Sequence, residues 1–344
     1  MAGTPHDALF KWTFSAPERA VDELRSVLPA ELSKHLRWET LRPEPGEFVD
    51  DELRGRHTDL LFSIRARGRR ALLYLLFEHQ SEPDALMPLR ALVYQSRIWS
   101  EWLRRHPRAT KVPPIVTVIL HHGGRAWTGG TDLGAVFDAA PEVLAAAAPY
   151  LPELRLRVDD LSDQADEELR ARAGSALVKL VLLVLKHGRD SVDIDARLAR
   201  WTDLVVDVAT APHGVEAVTA IMRYLLEVSA HVTRERVTSV LRLGLKSTKK
   251  AEQVMATIGQ QLIDQGFQQG IEMGAARGAI RGRRDLVLHL LRQRFGEVPA
   301  KTVARVDAAN DAAVLDRWAE RILRASTLAE VFDAAKPRRR KARL

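Results

Sequence analysis

Two apolar runs of strand length, Asp59–Ile64 and Ala71–Phe77, are separated by Arg65 to Arg70 with Gly68 near the centre. A two-residue turn at Gly68–Arg69 pairs Arg67 with Arg70, and the same register carried along both strands sets Asp59 opposite Glu78. Opposed side chains stand roughly 4.5–5.5 Å apart at Cβ. Gln80, two residues past Glu78, shares its face, whereas a one-residue bulge would send Asp59 to the other side. Like charges in such positions repel, and burial penalises their ionised forms. Three arrangements relieve this: one carboxyl keeps its proton, a cation sits between the two, or both face solvent and pair with Arg65, Arg67 or Arg70. A divalent ion is the economical answer. A few hard oxygen ligands, with the other positions left to water and substrate, suit Mg²⁺ better than Zn²⁺.

The elements that must hold these residues follow from the apolar pattern. Both runs carry apolar residues on both faces, as central strands do. Residues 86–105 predict a helix with Leu89, Leu92, Val93, Trp99 and Leu103 at helical spacing. Pro113 and Pro114 introduce a third strand, Ile115–His121, which ends at Gly123–Gly124. Strand, helix, strand in this order implies a right-handed crossover to a parallel neighbour, hence an α/β domain. Upstream, Ser15–Glu18 has the form of a capping box, so a helix should start near Ala16, bury Val21, Leu24 and Leu28, and stop at Pro29. Residues 42–57 read as a loop.

Beyond residue 160 the pattern is helical, over 165–187, 194–209, 214–229 and 233–245. Gly266, Gly270, Gly274, Gly278 and Gly282 then recur every four residues, each costing a helix about 1 kcal/mol against Ala. This spacing fits either a small-residue seam between two helices, such as a homodimer contact, or a weakly helical linker. A last helical module over 284–335 carries a second capping box at Thr327–Glu330. The expected organisation is an α/β domain over 1–158, a helical extension over 159–250, a glycine-repeat segment over 251–283, the small helical domain over 284–335 and a basic tail over 336–344.

Composition removes other classes. The 344 residues are 46% hydrophobic and include no Cys, which excludes disulfide scaffolds and thiol catalysis. The N-terminus lacks a signal-peptide pattern. No apolar run, Leu180–Leu185 included, approaches the ~20 residues that span a bilayer. A cytoplasmic protein without membrane contact is expected. The net charge of +7 is largely the tail, where six Lys and Arg occupy residues 336–344 and leave the remainder at +1. Such a tail is a solvated appendage or a phosphate-tracking arm. No glycine loop for a nucleotide cofactor, no GxSxG and no HExxH occurs.

His6-Asp7-x-x-Phe10-Lys11, Asp59-Leu-Leu-Phe, Glu78-His79-Gln80-Ser81, Arg90, Tyr94 and His122-Gly123 together resemble the recombination-promoting nuclease family, also labelled transposases, of the PD-(D/E)xK nuclease superfamily. The likeness covers about residues 5–245, and residues 284–335 resemble an uncharacterised helical domain often found at the end of such proteins. The resemblance implies a restriction-endonuclease-like α/β domain, with a mixed four-stranded sheet flanked by helices, followed by an all-α half. It also implies metal-dependent endonucleolytic cleavage of DNA, with Mg²⁺ or another divalent cation. By position, Asp59 matches the motif aspartate and Glu78 the second acid, with the His79 carbonyl as a further ligand. Gln80 stands where many superfamily members have Lys; it can orient water but supplies no charge. Lys11 is the candidate for that charge, and Asp7, one turn earlier, either serves as a third acid or pairs with Lys11. His79 itself is expected to pack on the opposite face. One of His121 and His122 can approach the site from the neighbouring strand, and Trp99 and Trp102 are expected in the core. Arg338, Arg339, Arg340 and Lys341 are the candidate DNA contacts of the tail. The leading expectation is a nuclease of recombination, mobile elements or defence against foreign DNA. The alternatives are a weakly catalytic DNA-binding relic and a helical assembly or regulatory protein.

Overall fold

The computed structural model describes residues 4–44, 60–66, 72–80, 82–122, 124–189 and 191–332. They form two compact units, divided between Gly259 and Gln260.

The first unit is built on one mixed sheet of five strands in the order β1 (Leu36–Pro43), β2 (Leu60–Ala66), β3 (Leu72–Gln80), β4 (Ile115–His121), β5 (Arg157–Asp160). β1, β2 and β3 are antiparallel, and β3, β4 and β5 are parallel. The expected four strands are therefore corrected to five. β1 is amphipathic, with Leu36 and Leu41 buried among exposed charged residues, and β5 is only four residues long. β2 buries Leu61, Phe62, Ser63 and Ile64 consecutively, as a strand covered on both faces must. The segment between β3 and β4 is the expected crossover helix.

Ahead of the sheet come helices α1 (Pro5–Phe14) and α2 (Pro17–Val27). Ser15 does not cap α2. Its N–H closes α1 on the Lys11 carbonyl, and Ala16 becomes the N-cap, without a side-chain bond. Only two residues separate the helices, so one end is served at the expense of the other.

Helix α3 (Met87–Arg105) packs Met87, Ala91, Tyr94 and Ile98 against Leu61 of β2 and Ile119 of β4. Leu89, Val93 and Leu103 are at least 40% exposed, so the core face differs from the predicted one. Polar pairs fix the choice: Gln95 Nε2 donates to Thr117 Oγ1 at 3.1 Å inside the interface, and Trp99 Nε1 donates to the Pro113 carbonyl at 2.7 Å. Trp102 packs beside the same cluster, so both tryptophans serve packing.

Helix α4 (Ala176–His187) buries Leu180–Leu185 on all sides, and α5 (Gly214–Val228) buries Val218, Ile221, Met222 and Leu225. Two predicted helices are each split. Residues 165–187 break at Gly174, whose φ of +120° suits glycine, and 194–209 break at Trp201.

One buried ionic node ties these layers together. Arg172 donates to both oxygens of Glu23 on α2 at 3.0 Å, to Asp159 on β5 at 2.6 and 2.9 Å, and to Gln164 Oε1 at 2.5 Å. Burial and the adjacent Asp159 push the Glu23 carboxyl well above the usual carboxylate range. Burial opposes the Asp159 charge too, but hydrogen bonds from Arg172 and Glu23 outweigh it and hold that group low. Of the two acids that Arg172 contacts, Glu23 is therefore the one that keeps its proton to higher pH, and Asp159 the one that favours the charged form.

The second unit surrounds the C-terminal part of α6 (Thr248–Phe295) with α7 (Ala300–Asp307), α8 (Ala312–Ile322) and a last turn at Leu328–Phe332. Val287, Leu288, Leu291, Val306, Leu315, Ile322 and Val331 form its core. All five spaced glycines lie inside α6, so the final module begins within a continuous helix rather than at residue 284. In the second capping box Thr327 accepts from the Glu330 N–H at 3.4 Å, while Glu330 reaches the Ser326 N–H instead of the cap residue. Among the described residues no helix is long and apolar enough to cross a membrane.

Removing Arg172 leaves a buried charge unpaired, so Arg172→Ala should cost about 3–5 kcal/mol in urea unfolding. Because the Glu23 pKa is raised on folding, its contribution is complete at acid pH and lost as pH rises through the folded value; Asp159, held low, contributes the opposite limb, lost as pH falls. Glu23→Gln should therefore flatten the alkaline side of the stability–pH curve, and an unchanged curve would contradict the assignment of the proton.

Candidate active site

Strand register gathers chemistry at one edge. β2 and β3 pair from Arg65↔Leu72 to Leu60↔Phe77 without a shift, the register a Gly68–Arg69 turn requires. Glu78 is the next residue of β3, paired across the parallel ladder with Ile119, and Gln80 pairs with His121. His121 pairs in turn with Asp160 of β5. Gln80, His121 and Asp160 therefore lie in a row at the carboxyl ends of three parallel strands, where open α/β sheets take their ligands. Asp59 and the tail residues Arg338, Arg339, Arg340 and Lys341 lie outside the described residues.

Helix α1 reaches the same edge. The His6 ring is centred 5.0 Å from the ring of His122, the residue directly after β4, and His6 Nδ1 is 2.6 Å from the Tyr224 hydroxyl of α5. His122 Nδ1–H donates to the Leu185 carbonyl of α4 at 3.1 Å. Both histidines are buried. Asp7 follows His6 as the third residue of α1. Its carboxylate accepts from the Thr4 N–H at 3.0 Å while its own N–H donates to Thr4 Oγ1 at 3.2 Å, so it serves as half of a capping box. Lys11 lies one turn further along and is exposed.

The other histidine of the pair has a separate task. His121 is fully buried, and its Nε2–H donates to the Arg125 carbonyl at 2.9 Å, with the edge of Trp127 against its ring. Asp160 braces the same loop: Oδ2 accepts from the Trp127 N–H at 2.6 Å, and Oδ1 accepts from the N–H and hydroxyl of Ser162. Below this edge, Arg90 on α3 bonds Asp84 at 2.6 Å and the Tyr94 hydroxyl at 3.2 Å.

Among the described residues no group of three or more His, Asp or Glu is gathered as a metal centre; the proposed pair includes Asp59 and so falls outside that statement. The sequence pattern marks neither Tyr224 nor the Glu23–Arg172–Asp159 node. Tyr224 lies 218 residues from His6 and Glu23 lies 149 from Arg172, and no local spacing signals such contacts.

The family described as "Putative transposase, YhgA-like" matches residues 4–216. Recombination-promoting nuclease RpnD of Escherichia coli O157:H7 is 28% identical over 227 residues, 65% of this chain and 81% of the relative. Recombination-promoting nuclease RpnC of Escherichia coli K12 is 36% identical over 122 residues, 35% of this chain and 39% of the relative. The protein named inactive recombination-promoting nuclease-like protein RpnE, also of K12, is 28% identical over 270 residues, 77% of this chain and 83% of the relative. No solved structure matches the chain. With more than half of its length matched by the family model, the chain belongs to the YhgA-like transposase family.

Proposed function

We propose that this protein is a divalent-metal-dependent DNA endonuclease with a restriction-endonuclease-like core, acting in recombination, mobile elements or defence against foreign DNA. The observation that carries this reading is the unshifted β2–β3 register up to Leu60↔Phe77. Continued by one residue, that register would oppose Asp59 and Glu78. The names of the relatives support the same activity, and the inactive-labelled relative is the reason that activity must be measured.

The donor set consists of two carboxylates and the His79 carbonyl, all hard oxygens, which fits Mg²⁺ and leaves positions open for substrate. A bound divalent cation supplies charge to the developing negative phosphate and lowers the pKa of water. Asp59 and Glu78 hold that charge at the strand edge. Gln80 accepts and donates hydrogen bonds and so aims the attacking water in line with the leaving oxygen. Lys11 stands on the helix adjoining this edge and is the nearest proposed source of fixed positive charge. Asp7 is committed to its capping box and acts through the placement of α1.

Supercoiled plasmid should be nicked with Mg²⁺ and not with EDTA. Asp59→Ala and Glu78→Ala should each lower the rate by at least about 10³-fold, while Lys11→Ala, on an exposed side chain, should leave thermal stability unchanged within about 0.5 kcal/mol. Absence of cleavage with several divalent ions would favour the DNA-binding relic.

The helical half supports a further part of the reading, a homodimer. On α6, Ile263 and Phe267 are each 67% exposed and Ile271 is 50% exposed. They form a ridge at four-residue spacing beside the row Gly266, Gly270 and Gly274, around which open space extends. A ridge and a groove of the same pitch on one helix are self-complementary, and two copies can interdigitate at a crossing angle near −50°. Light scattering should give twice the chain mass of 38.5 kDa, and Phe267→Glu should give the monomer. A strictly monomeric wild type would remove the dimer.

A further inference from the structure

The second unit holds a cleft of about 680 Å³ that the nuclease reading does not use. It is lined on α6 by Arg277, Ile280, Arg281, Arg284 and Asp285, and opposite by Asp307 and Asn310. Arg277, Arg281 and Arg284 follow i, i+4, i+7 spacing, so they share one helix face over roughly 10 Å of axis. A strand in stacked helical form advances about 3.4 Å per phosphate and an unstacked one further, so at least two phosphates of either fall within that length.

The three arginines differ in how they are held. Arg284 is locked, with Nε donating to the Ala309 carbonyl at 2.9 Å and Nη2 to Asn310 Oδ1 at 2.5 Å. Arg277 and Arg281 are exposed and make no ion pair among the described residues. Guanidinium forks of this kind match phosphate oxygens two at a time. The cleft also contains Asp285 and Asp307, exposed and equally without an ion pair among the described residues. They would repel a purely anionic ligand but accept hydrogen bonds from an exocyclic amino group. Asn310, its oxygen occupied by Arg284, has its amide N–H groups left to donate. Gly278 and Gly282, next to the two free arginines in sequence, leave open space where a side chain would stand, so a strand backbone can come close to the helix.

We infer that this cleft is a second nucleic-acid site, which takes a single strand of DNA with its phosphates on Arg277 and Arg281 and the amino edge of an unstacked base on Asp285 and Asp307. The site goes beyond the strand-edge chemistry and does not require cleavage.

The test is fluorescence anisotropy of the full chain with labelled oligo(dC) and oligo(dT) in EDTA over a salt series. Thymine has no exocyclic amino group, so oligo(dC) should bind about tenfold more tightly than oligo(dT), and Asp285→Ala with Asp307→Ala, which removes both acceptors, should erase that preference. Arg277→Gln with Arg281→Gln should weaken both oligonucleotides and reduce the salt slope by about 1.4, two single-strand phosphate contacts. Neither arginine has an ion-pair partner to lose among the described residues, so the unfolding midpoint should not move. An unchanged affinity and slope in the arginine variant would overturn the site, as would equal binding of the two oligonucleotides or their displacement by polyglutamate. The nuclease reading fails separately: Asp59→Ala should abolish cleavage without affecting this binding, and a wild type that binds through Arg277 and Arg281 yet never cuts DNA would leave the cleft standing.

Discussion

The pairing of β2 with β3 is the constraint on which the rest of the α/β unit depends. Side chains alternate along a strand, so a slip of one residue would reverse every face of the hairpin. The slip is prevented because both strands are interior. Leu61, Phe62 and Ile64 are buried, and each has a place on one sheet face or the other that a shifted register would deny it. The parallel ladder to β4 transmits the same register sideways, so that the position of Gln80 fixes its relation to His121 and, through β5, to Asp160.

Helices then make that edge three-dimensional through buried polar contacts more than through apolar area alone. Gln95 with Thr117 sets the rotation of α3. Leu185 with His122 and His6 with Tyr224 bring α4, α5 and α1 to the end of β4. Arg172 joins α2 to β5 from a segment distant from both. Each contact is costly if half-made. The conformation of the edge is accordingly specific.

How much of this is legible in the sequence depends on the range of the interaction. β2, β3 and β4 are legible because their apolar runs are continuous and bounded by Gly and Pro, and the hairpin register is legible because a short turn dictates it. β1 is not, since Arg37, Glu39 and Arg42 interrupt it and only its neighbour makes it a strand; β5 is too short to show a period. The buried face of α3 is not legible, because Leu89, Val93 and Leu103 are as apolar as the residues that are buried, and Gln95 decides the matter through a partner on another element. Glu23 and Arg172 look like surface charges until the fold brings them together. For the candidate site, Glu78 and Gln80 fall on one strand, two residues apart, whereas the commitment of Asp7 to a helix cap follows from Thr4, three residues earlier.

The opposition of Asp59 and Glu78 can be tested without any assay of activity, because the chain contains no cysteine. A protein carrying Asp59→Cys with Glu78→Cys should form an intramolecular disulfide on mild oxidation, since opposed strand positions meet the required Cα separation of roughly 4.4–6.8 Å. Asp59→Cys paired with Gln80→Cys, one diagonal step away, should remain reduced under the same conditions. Cross-linking of the 59/80 pair in preference to 59/78 would contradict the register, and with it the placement of the two carboxylates on which the nuclease reading rests.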